Sequence, residues 1–525
     1  MRNFQLPGRS SVYAGNCMCA TSHPIAANAA IDILRQGGNA MDSAIGAALL
    51  LGLCEPQMAG LGGDCFILFS PAGTNEVKSL NGSGHSPKNA SADFLRELGN
   101  NVVPVTSPHA VTIPGALGAF HKLSEEWGIL GLEKILQPAI HYADSGIPVA
   151  PRVALDWQNE MSRLQGNSRK HYLIKGKAPR PGQIFRAPGQ AEVLRRVAKH
   201  GAKAFYEGEV AEDILHTLRT NGGVHHEDDF ASEKPTYSEP ISGIYKDLEI
   251  LEHSPNSQGI IAILMLNMLK HFNLSNLDPL GYKRIHIETE ITKIAYNIRN
   301  RLIADPEIFN LTDHLINAKT AEKLANLISL NSVLSSVSKI NEAVHKDTVY
   351  ITVVDSDRMA VSLIYSIFHA FGSGLSSEKF GILLQNRGAG FNLERNHPNE
   401  YAGRKRPLHT IIPGIIRKKK KVEIPFGVMG GQYQPLGHMR FISNIVDFGM
   451  DLQTAIDFPR AFQSFKFLEL ESGYDQKVIF NLKRLGHNVR RTEIPFGGAQ
   501  AIKIHESGIL EGGSDPRKDG CAIGY

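Results

Sequence analysis

Cysteine is scarce and hydrophobic runs are short in this sequence. Five cysteines among 525 residues are few, odd in number and scattered, so we expect small buried residues in a reducing compartment rather than a disulfide framework. The most hydrophobic run, Ala44 to Cys54, is far shorter than the roughly 20 residues of a membrane-spanning helix. Residues 1–15 have neither the apolar core nor the small-residue cleavage site of a secretory leader. A cytoplasmic protein without a membrane partner is therefore expected.

The sequence also lacks a large excess of positive or negative charge. The formal net charge is +4 over 525 residues, which indicates no nucleic-acid partner. The basic run Arg417 to Lys421 lies between two apolar runs, Ile411 to Ile416 and Val422 to Val428. That arrangement favours a solvated hairpin tip over an anion-binding patch.

Signatures of nucleotide and metal binding are absent as well. The glycine-rich stretch that ends at Asp64 precedes a strand rather than a helix, and no phosphate loop or dinucleotide fingerprint occurs, which argues against an oxidoreductase or a nucleotide-dependent enzyme. The nearest approach to a metal site is His225 and His226 followed by Glu227 and Asp228, on a polar stretch where solvated side chains are the favoured interpretation. We therefore expect no cofactor and no metal.

What remains is the composition of an ordinary globular protein, with 42% hydrophobic and 21% charged residues and a chain long enough to bury a large core. Helical spacing runs from His23 to Arg35, and Asn39 can cap a second, very apolar helix that extends through Leu53. From Thr112 to about Lys346 the pattern is helical with short breaks.

The chain after residue 348 is rich in predicted strands. These cover Val349–Val354, Met359–Phe368, Gly381–Leu384, Thr410–Ile416 and Ile424–Val428, and a helix follows from Leu436 to Phe448. Helices first and strands later predict an α+β protein of stacked sheets covered by helices on both outer faces.

The stretch Asp347 to Asp355 heads the first of these strands and is the best candidate for chemistry. A turn after Val354 and a second apolar run predict an antiparallel hairpin. Thr348 stands at its start, behind the polar end of a segment, Ala318 to Lys346, that is typical of a surface connector. A threonine hydroxyl is a poor nucleophile unless the chain is cut just before it, because the freed α-amino group then serves as its base. By local sequence alone, the favoured interpretation of Thr348 is one more strand-forming residue, and the features that point to a nucleophile lie elsewhere in the chain.

Motifs from separate parts of the chain converge on one family. The sequence resembles the γ-glutamyltranspeptidase (glutathione hydrolase) family of N-terminal-nucleophile hydrolases, in a divergent branch, over nearly its whole length. The resemblance rests on eight motifs in order: Thr21-Ser22-His23-Pro24 with Gly37-Gly38-Asn39-Ala40, Glu55-Pro56 with Gly62-Gly63-Asp64, Val111 to Gly115, Asp347-Thr348, Phe371 to Gly374, Lys405-Arg406-Pro407, Met429-Gly430-Gly431, and Gly513 to Arg517.

The resemblance implies a four-layer αββα sandwich made as an inactive precursor. Autocleavage between Asp347 and Thr348 would yield a large subunit, residues 1–347, and a small subunit, residues 348–525, that together form one αββα unit. Thr348 would then attack an amide and form an acyl-enzyme, which water or an amine acceptor resolves. The resemblance implies two partners, a small-molecule amide substrate and the protein's own cleaved subunit. The two subunits would form a heterodimer, and whether two such heterodimers pair is left open by the sequence.

Two further features fit that chemistry. Gly430 and Gly431 stand at a predicted strand-to-helix junction, where free backbone N–H groups would form an oxyanion hole, although a plain tight turn also explains them. The family places a hydroxyl at the position of Ser366 to hydrogen-bond the nucleophile, and Ser366 keeps it. Thr352 is interpreted as structural.

Substrate recognition departs from the family pattern. Family members that cleave glutathione use an arginine for the substrate's α-carboxylate, and here Ser83 takes its position with His85 nearby. The family's glutamine and aspartate that hold the α-amino group fall on Arg387 and Gly390. Its paired serines fall on His409 and Thr410. An amino-acid pocket is thus exchanged for one that favours an anionic group, unless Arg387 points outward and pairs with an unrelated carboxylate.

The sequence therefore predicts an autoprocessed threonine amidohydrolase that cleaves γ-glutamyl or similar acidic acyl amides through Thr348. The alternatives are an amidase for a non-glutamyl anionic amide of the oxamate or glutaryl type, and an unprocessed, catalytically silent relative that acts as a binding protein. Hydrolysis is expected rather than transpeptidation, because nothing visible selects an amino acceptor. Retention of Thr348, Ser366, Gly430 and Gly431 together argues against silence.

Overall fold

A computed structural model describes residue 5 and residues 8–334, 348–464 and 466–525 of the chain. Its strands are β1 Val12–Ala14, β2 Met18–Thr21, β3 Asp64–Ser70, β4 Lys78–Gly82, β5 Ile147–Pro148, β6 Ile184–Phe185, β7 Thr236–Ser238, β8 Ile241–Tyr245, β9 Leu248–Glu252, β10 Val349–Val354, β11 Ala360–Ser366, β12 Gly414–Lys418, β13 Lys421–Met429, β14 Ala461–Gln463, β15 Leu468–Leu470, β16 Val489–Arg491, β17 Gly498–Ile504, β18 Leu510–Ser514 and β19 Cys521–Gly524.

The α-helices are α1 Pro24–Arg35, α2 Ala40–Cys54, α3 Ala92–Glu97, α4 Ala116–Trp127, α5 Leu132–Ile135, α6 Gln137–Ser145, α7 Pro151–Glu160, α8 Asn167–Tyr172, α9 Pro188–His200, α10 Lys203–Tyr206, α11 Glu209–Thr220, α12 Glu227–Ala231, α13 Gly259–Leu269, α14 Tyr282–Leu302, α15 Thr312–Ile316, α16 Ala318–Ala325, α17 Gln434–Val446, α18 Leu452–Asp457 and α19 Gln476–Arg484. Short 3₁₀ turns occur at Pro108–Ala110, Met161–Arg163, Leu274–Asn276, Arg387–Gly390 and Gly431–Tyr433.

Two large antiparallel sheets form the centre of the molecule. One has the strand order β1-β18-β17-β13-β12-β9-β8, and the other has the order β19-β2-β10-β11-β3-β4-β7. Each sheet contains strands from both sides of residue 348, so the two predicted subunits would be interleaved rather than separate domains.

Helices cover the outer face of each sheet. Helices α1, α2 and α4 pack on the sheet that contains β10, whereas α13, α17 and α18 pack on the sheet that contains β13. Between the sheets, β10 and β11 face β13. The order is thus helices, sheet, sheet, helices, which confirms the predicted αββα sandwich.

Helix α2 shows why the sequence builds this arrangement. The side chain of Asn39 accepts hydrogen bonds from the N–H groups of Met41 and Asp42, and the Asp42 carboxylate accepts from the N–H of Asn39. This reciprocal capping begins the helix. Every residue of α2 is buried, because it lies between β10 and β11 and the helices outside it. The predicted buried helix is confirmed.

The space between the sheets is filled mainly by aromatic and aliphatic side chains. Phe66, Tyr350, Ile364, Ile411 and Met429 form one fully buried cluster there. Gly427 on β13 is required at this interface, since a Cβ atom at its position would lie 2.3 Å from the Tyr350 ring. The sheets therefore approach closely beside the beginning of β10.

The structure confirms two of the predicted local elements and contradicts a third. The hairpin of β10 and β11 is confirmed, with Val349 opposite Tyr365. The basic hairpin tip is confirmed too, because Lys419 and Lys420 form the exposed turn between β12 and β13. The predicted strand at 381–384 is wrong, since that segment makes only isolated bridges.

The region between residues 112 and 346 is less uniformly helical than predicted. Strands β7, β8 and β9 interrupt it, because residues 236–252 supply edge strands to both large sheets. All five cysteines are free, and four of them are buried. Among the described residues, no helix is long and apolar enough to cross a membrane.

Candidate active site

Thr348 lies directly before β10 and is fully buried. Side chains alternate along a strand, so Thr348 shares a face with Tyr350, whose ring reaches Gly427 of the opposite sheet. Continuing the register of β10 and β11 by one residue sets Thr348 opposite Ser366. Thr348 therefore faces the space between the sheets, next to the Ser366 side chain.

Ser366 ends β11 and pairs in turn with Asp64, the first residue of β3. Its hydroxyl accepts a hydrogen bond of 2.8 Å from the N–H of Phe368. Three neighbouring strands thus carry Thr348, Ser366 and Asp64 in one row on the inner face.

Asp64 is a buried carboxylate that belongs to one of the family motifs but received no role from the sequence alone. Its Oδ1 atom accepts hydrogen bonds from the N–H groups of Gly84 and Gly115 and from Nε2 of Gln385, at 3.1, 3.0 and 2.9 Å. Burial raises the pKa of Asp64 to about 6, while the Arg387 charge and these donors oppose the shift. The available signal was an acidic residue at the head of an otherwise apolar strand.

His409 pairs with Asp64 through the other carboxylate oxygen. Its Nε2 atom lies 3.1 Å from Oδ2, and both side chains are fully buried. Its Nδ1 atom has no hydrogen-bond partner among the described residues. Burial and the Arg387 charge hold the pKa of His409 well below its ordinary value, so the ring is neutral. With Nε2–H donated to Asp64, Nδ1 is left as an acceptor.

Arg387 is buried in the same region rather than pointing outward. Its Nη1 donates a 2.9 Å hydrogen bond to Oγ1 of Thr410, and its guanidinium carbon lies 4.1 Å from the centre of the Phe368 ring. Nε and Nη2 have no acceptor among the described residues. Burial lowers the pKa of Arg387 to about 9, and the Asp64 charge opposes that shift. The outward, ion-paired alternative is therefore wrong.

Gly430 and Gly431 connect the end of β13 to α17 through a 3₁₀ turn. Both have positive φ, +130° and +54°, which glycine adopts at little cost. A Cβ atom on Gly430 would lie 2.8 Å from Cα of Gly497. Neither N–H group donates a hydrogen bond to another residue in the described part of the chain. Two unsatisfied donors at the start of a helix suit a developing oxyanion.

Ser83 and His85 lie beside this region but are occupied by other contacts. The Ser83 hydroxyl donates to Oδ1 of Asn81 at 2.7 Å. Nδ1 of His85 lies 3.0 Å from the Glu233 carboxylate, and its side chain is 31% exposed. Thr352 donates to the backbone oxygen of Val361, as its structural interpretation predicts. Asp347, the predicted residue before the cleaved bond, lies outside the described residues.

In the part of the chain that the structure describes, His225, His226, Glu227 and Asp228 do not converge as metal ligands. His225 is fully buried, with Nε2 2.9 Å from the carbonyl oxygen of Val111, so its predicted solvation is wrong. His226, Glu227 and Asp228 are exposed as expected. Among the described residues, converging metal ligands occur elsewhere, on α14 and after α19.

The arrangement brings together a buried hydroxyl pair, two free backbone donors and a buried cation with unused N–H groups. Such a set can attack a carbonyl, stabilise the resulting oxyanion and hold an anionic substituent.

Comparison with known proteins identifies the family of this chain. The gamma-glutamyltranspeptidase family model matches residues 26–525. The chain is 34% identical over 527 residues to the glutathione hydrolase-like YwrD proenzyme of Bacillus subtilis strain 168, covering 98% of this chain and 99% of that protein. It is 30% identical to the oxamate amidohydrolase proenzyme of Klebsiella pneumoniae subsp. pneumoniae, covering 98% and 100%.

The fold has a close structural counterpart. The crystal structure of cephalosporin acylase from Bacillus halodurans superimposes with a TM-score of 0.92 at 34% identity, covering 100% of this chain and 99% of that one. Family model, relatives and fold agree over nearly the whole length. The chain therefore belongs to the γ-glutamyltranspeptidase family and is an enzyme of its N-terminal-nucleophile hydrolase class, which acts on amides.

Proposed function

We propose that this protein is an autoprocessed threonine amidohydrolase for amides whose acyl group carries a second carboxylate. Cleavage before Thr348 would release residues 348–525 as the small subunit, paired with residues 1–347. The position of Thr348 at the head of a buried strand, opposite Ser366, supports this role, and relatives named as proenzymes support the processing.

In the proposed reaction, the Thr348 hydroxyl oxygen bonds to the amide carbon while the α-amino group of Thr348 takes the hydroxyl proton. The N–H groups of Gly430 and Gly431 stabilise the oxyanion, and Ser366 orients the attacking oxygen. Collapse breaks the carbon–nitrogen bond, and the new α-ammonium group protonates the leaving amine. Water, deprotonated by the same amine, then hydrolyses the ester and regenerates Thr348.

The observation that supports this substrate class is that Arg387 is buried with N–H donors that have no acceptor among the described residues. Leaving N–H donors of a buried guanidinium without acceptors costs more than leaving neutral donors unpaired, where the cost is about 1–3 kcal/mol. A substrate carboxylate that accepts from Nε and Nη2 would remove this cost through a two-pronged hydrogen bond.

The hydrogen bonds of Asp64 limit which acyl groups the site can bind. Its Oδ1 already accepts from three N–H donors and its Oδ2 pairs with His409, so this carboxylate is committed within the protein. A γ-glutamyl α-ammonium group would then lack a dedicated carboxylate. We therefore favour glutaryl- or oxamate-type amides over γ-glutamyl amides. We assign Ser83 and His85 positioning roles beside the site.

Three anilides of equal chain length test this proposal: glutaryl, its neutral terminal carboxamide, and γ-glutamyl. We expect kcat/KM to be highest for the glutaryl compound and lowest for the neutral one, with γ-glutamyl between them. Oxamate, followed by ammonia release, extends the series. Equal turnover of the neutral and glutaryl compounds would show that no carboxylate is recognised.

A further inference from the structure

A second cluster of ionisable side chains lies away from Thr348. His286 and Glu290 are one turn apart on α14, and His487 follows α19. One ligand atom from each residue falls within 4.8 Å of the others, and all three side chains are buried. Two imidazoles and a carboxylate form a ligand set that suits Zn²⁺.

The hydrogen bonds of His286 fix which nitrogen is available. Its Nε2 lies 2.7 Å from the carbonyl oxygen of Ser329, which can only accept, so Nε2 carries the proton. In the neutral ring, Nδ1 is then a bare acceptor that faces Nε2 of His487 at 2.8 Å. Donation of the outer N–H to a backbone carbonyl is the usual support of a metal-bound histidine.

The position of the ring proton is less firmly fixed in His487 than in His286. The Nδ1 atom of His487 has no partner among the described residues, so only the hydrogen bond to Nδ1 of His286 keeps the proton on Nε2. If that proton moves to Nδ1, the lone pairs of His286 Nδ1 and His487 Nε2 point towards each other. A cation can then bind both nitrogens. Tetrahedral ligands at Zn–N distances of about 2.0–2.1 Å lie about 3.3 Å apart, so the two rings need to separate by only about half an ångström.

Lys293 acts as the competitor for this position. Its ammonium group lies 2.7 Å from Oε1 of Glu290, while Oε2 accepts a 2.8 Å hydrogen bond from the N–H of Leu334. The Lys293 side chain is 17% exposed, so it can swing towards solvent when a cation arrives. A divalent ion would take the place of one ammonium charge beside the carboxylate.

We propose that His286, Glu290 and His487 form a Zn²⁺ site, with the fourth position left to water. The site joins α14 to the segment after α19. It also lies beside residues 329–334, because Ser329 and Leu334 contact its ligands and the N–H of Val333 donates to the carbonyl of Leu485 at 3.0 Å. Bound Zn²⁺ would therefore fasten the end of the large-subunit region to the small-subunit region.

Calorimetric titration of the full protein with Zn²⁺ tests the site, after removal of metal with a chelator. His487→Gln should weaken binding at least about tenfold, since even the loss of an outer-shell partner costs 10–100-fold. Lys293→Met should tighten binding, because the competing ammonium group is gone. His314→Gln, at an exposed histidine on α15, is the matched control and should bind as the wild type does.

Thermal melting provides an independent measurement. Zn²⁺ should raise the Tm of the wild type and of Lys293→Met but leave that of His487→Gln unchanged. Unaltered affinity in His487→Gln, or weaker binding in Lys293→Met, would overturn the proposal. The Lys293 variant predicts a gain, so a folding defect in the His487 variant cannot be mistaken for support.

Discussion

The guanidinium of Arg387 lies 4.1 Å above the ring of Phe368, whose N–H donates a hydrogen bond to Ser366. One residue thus contacts both the proposed carboxylate-binding group and the neighbour of the proposed nucleophile. Phe368 has a φ of +78°, an unfavourable conformation for a bulky side chain. Strain of this kind costs about 1–3 kcal/mol and is typical of functional sites. The proposed carboxylate-binding group and the neighbour of the proposed nucleophile are thus linked through a single residue.

Replacing Thr348 tests nucleophile and processing together. Thr348→Ala should remain a single chain of 57.5 kDa without amidase activity, because the attacking hydroxyl is lost. Thr348→Ser keeps a hydroxyl and should still be cut. Denaturing gels with intact-mass measurement would show this, and the smaller wild-type fragment should begin at Thr348. Cleavage of the alanine variant would place the nucleophile elsewhere, and an uncut wild type would favour the silent relative.

Substitutions of Arg387 separate charge from geometry. Arg387→Met should lower kcat/KM for the glutaryl anilide by about 10–100-fold, since charge-assisted hydrogen bonds contribute about 1.5–3 kcal/mol. Turnover of the neutral carboxamide compound should change little. Arg387→Lys should give an intermediate loss, because an ammonium group cannot contact Thr410 and a carboxylate in the same planar fork. Steady-state kinetics on both compounds is the measurement, and equal losses on both would contradict carboxylate binding.

The pKa of Asp64 predicts a pH dependence of stability. This pKa is raised from 3.8 to about 6, so between these values the folded protein holds a proton that the unfolded chain has released. Stability therefore falls as pH rises through this window, by up to about 3 kcal/mol. Asp64→Asn lacks this loss, so its Tm relative to the wild type should increase from pH 4 to pH 6. Asp228→Asn, at an exposed position, should show no such trend. A Tm difference for Asp64→Asn that does not vary with pH would contradict the shift.

Gly430→Ala combines an unfavourable φ of +130° with a 2.8 Å approach to Cα of Gly497. We expect a loss of about 1–3 kcal/mol in stability and a large loss of kcat, because the N–H groups of the proposed oxyanion hole would move. Gly449→Ala is the control, since its φ is +62° and nothing lies within 4 Å of its Cβ position. That variant should melt slightly earlier with full activity. Thermal melting measures the loss of stability, and kcat measures the loss of catalysis. Normal activity in Gly430→Ala would exclude the oxyanion role.

Gly427→Ala probes the contact between the two sheets. Its Cβ would lie 2.3 Å from the ring of Tyr350, which stands two residues after Thr348. Overpacking of this kind costs about 1–3 kcal/mol, and displacement of β10 should also lower kcat. Gly15→Ala, with open space around its Cβ, should leave both Tm and kcat unchanged. Equal Tm values for the two variants would show that the interface accommodates the added methyl group without a loss of stability.

Much of the fold was predictable because local chemistry and tertiary packing agree. The cap at Asn39, the apolar helix that follows and the hairpin of β10 and β11 are each set by residues close together in the chain. The strand expected at 381–384 failed for the opposite reason. Its apolar residues pack between neighbouring segments without joining a ladder.

By itself the sequence determined the family, the layered architecture and the candidate nucleophile, since motif order and hydrophobic periodicity are properties of the chain. Only the tertiary structure decided the surroundings of the site. It buried Arg387 with unused donors, and it paired Asp64 with His409 across 345 positions. It likewise joined His286 to His487 across 201 positions. Such contacts depend on how sheets and helices pack, and no spacing in the sequence encodes them.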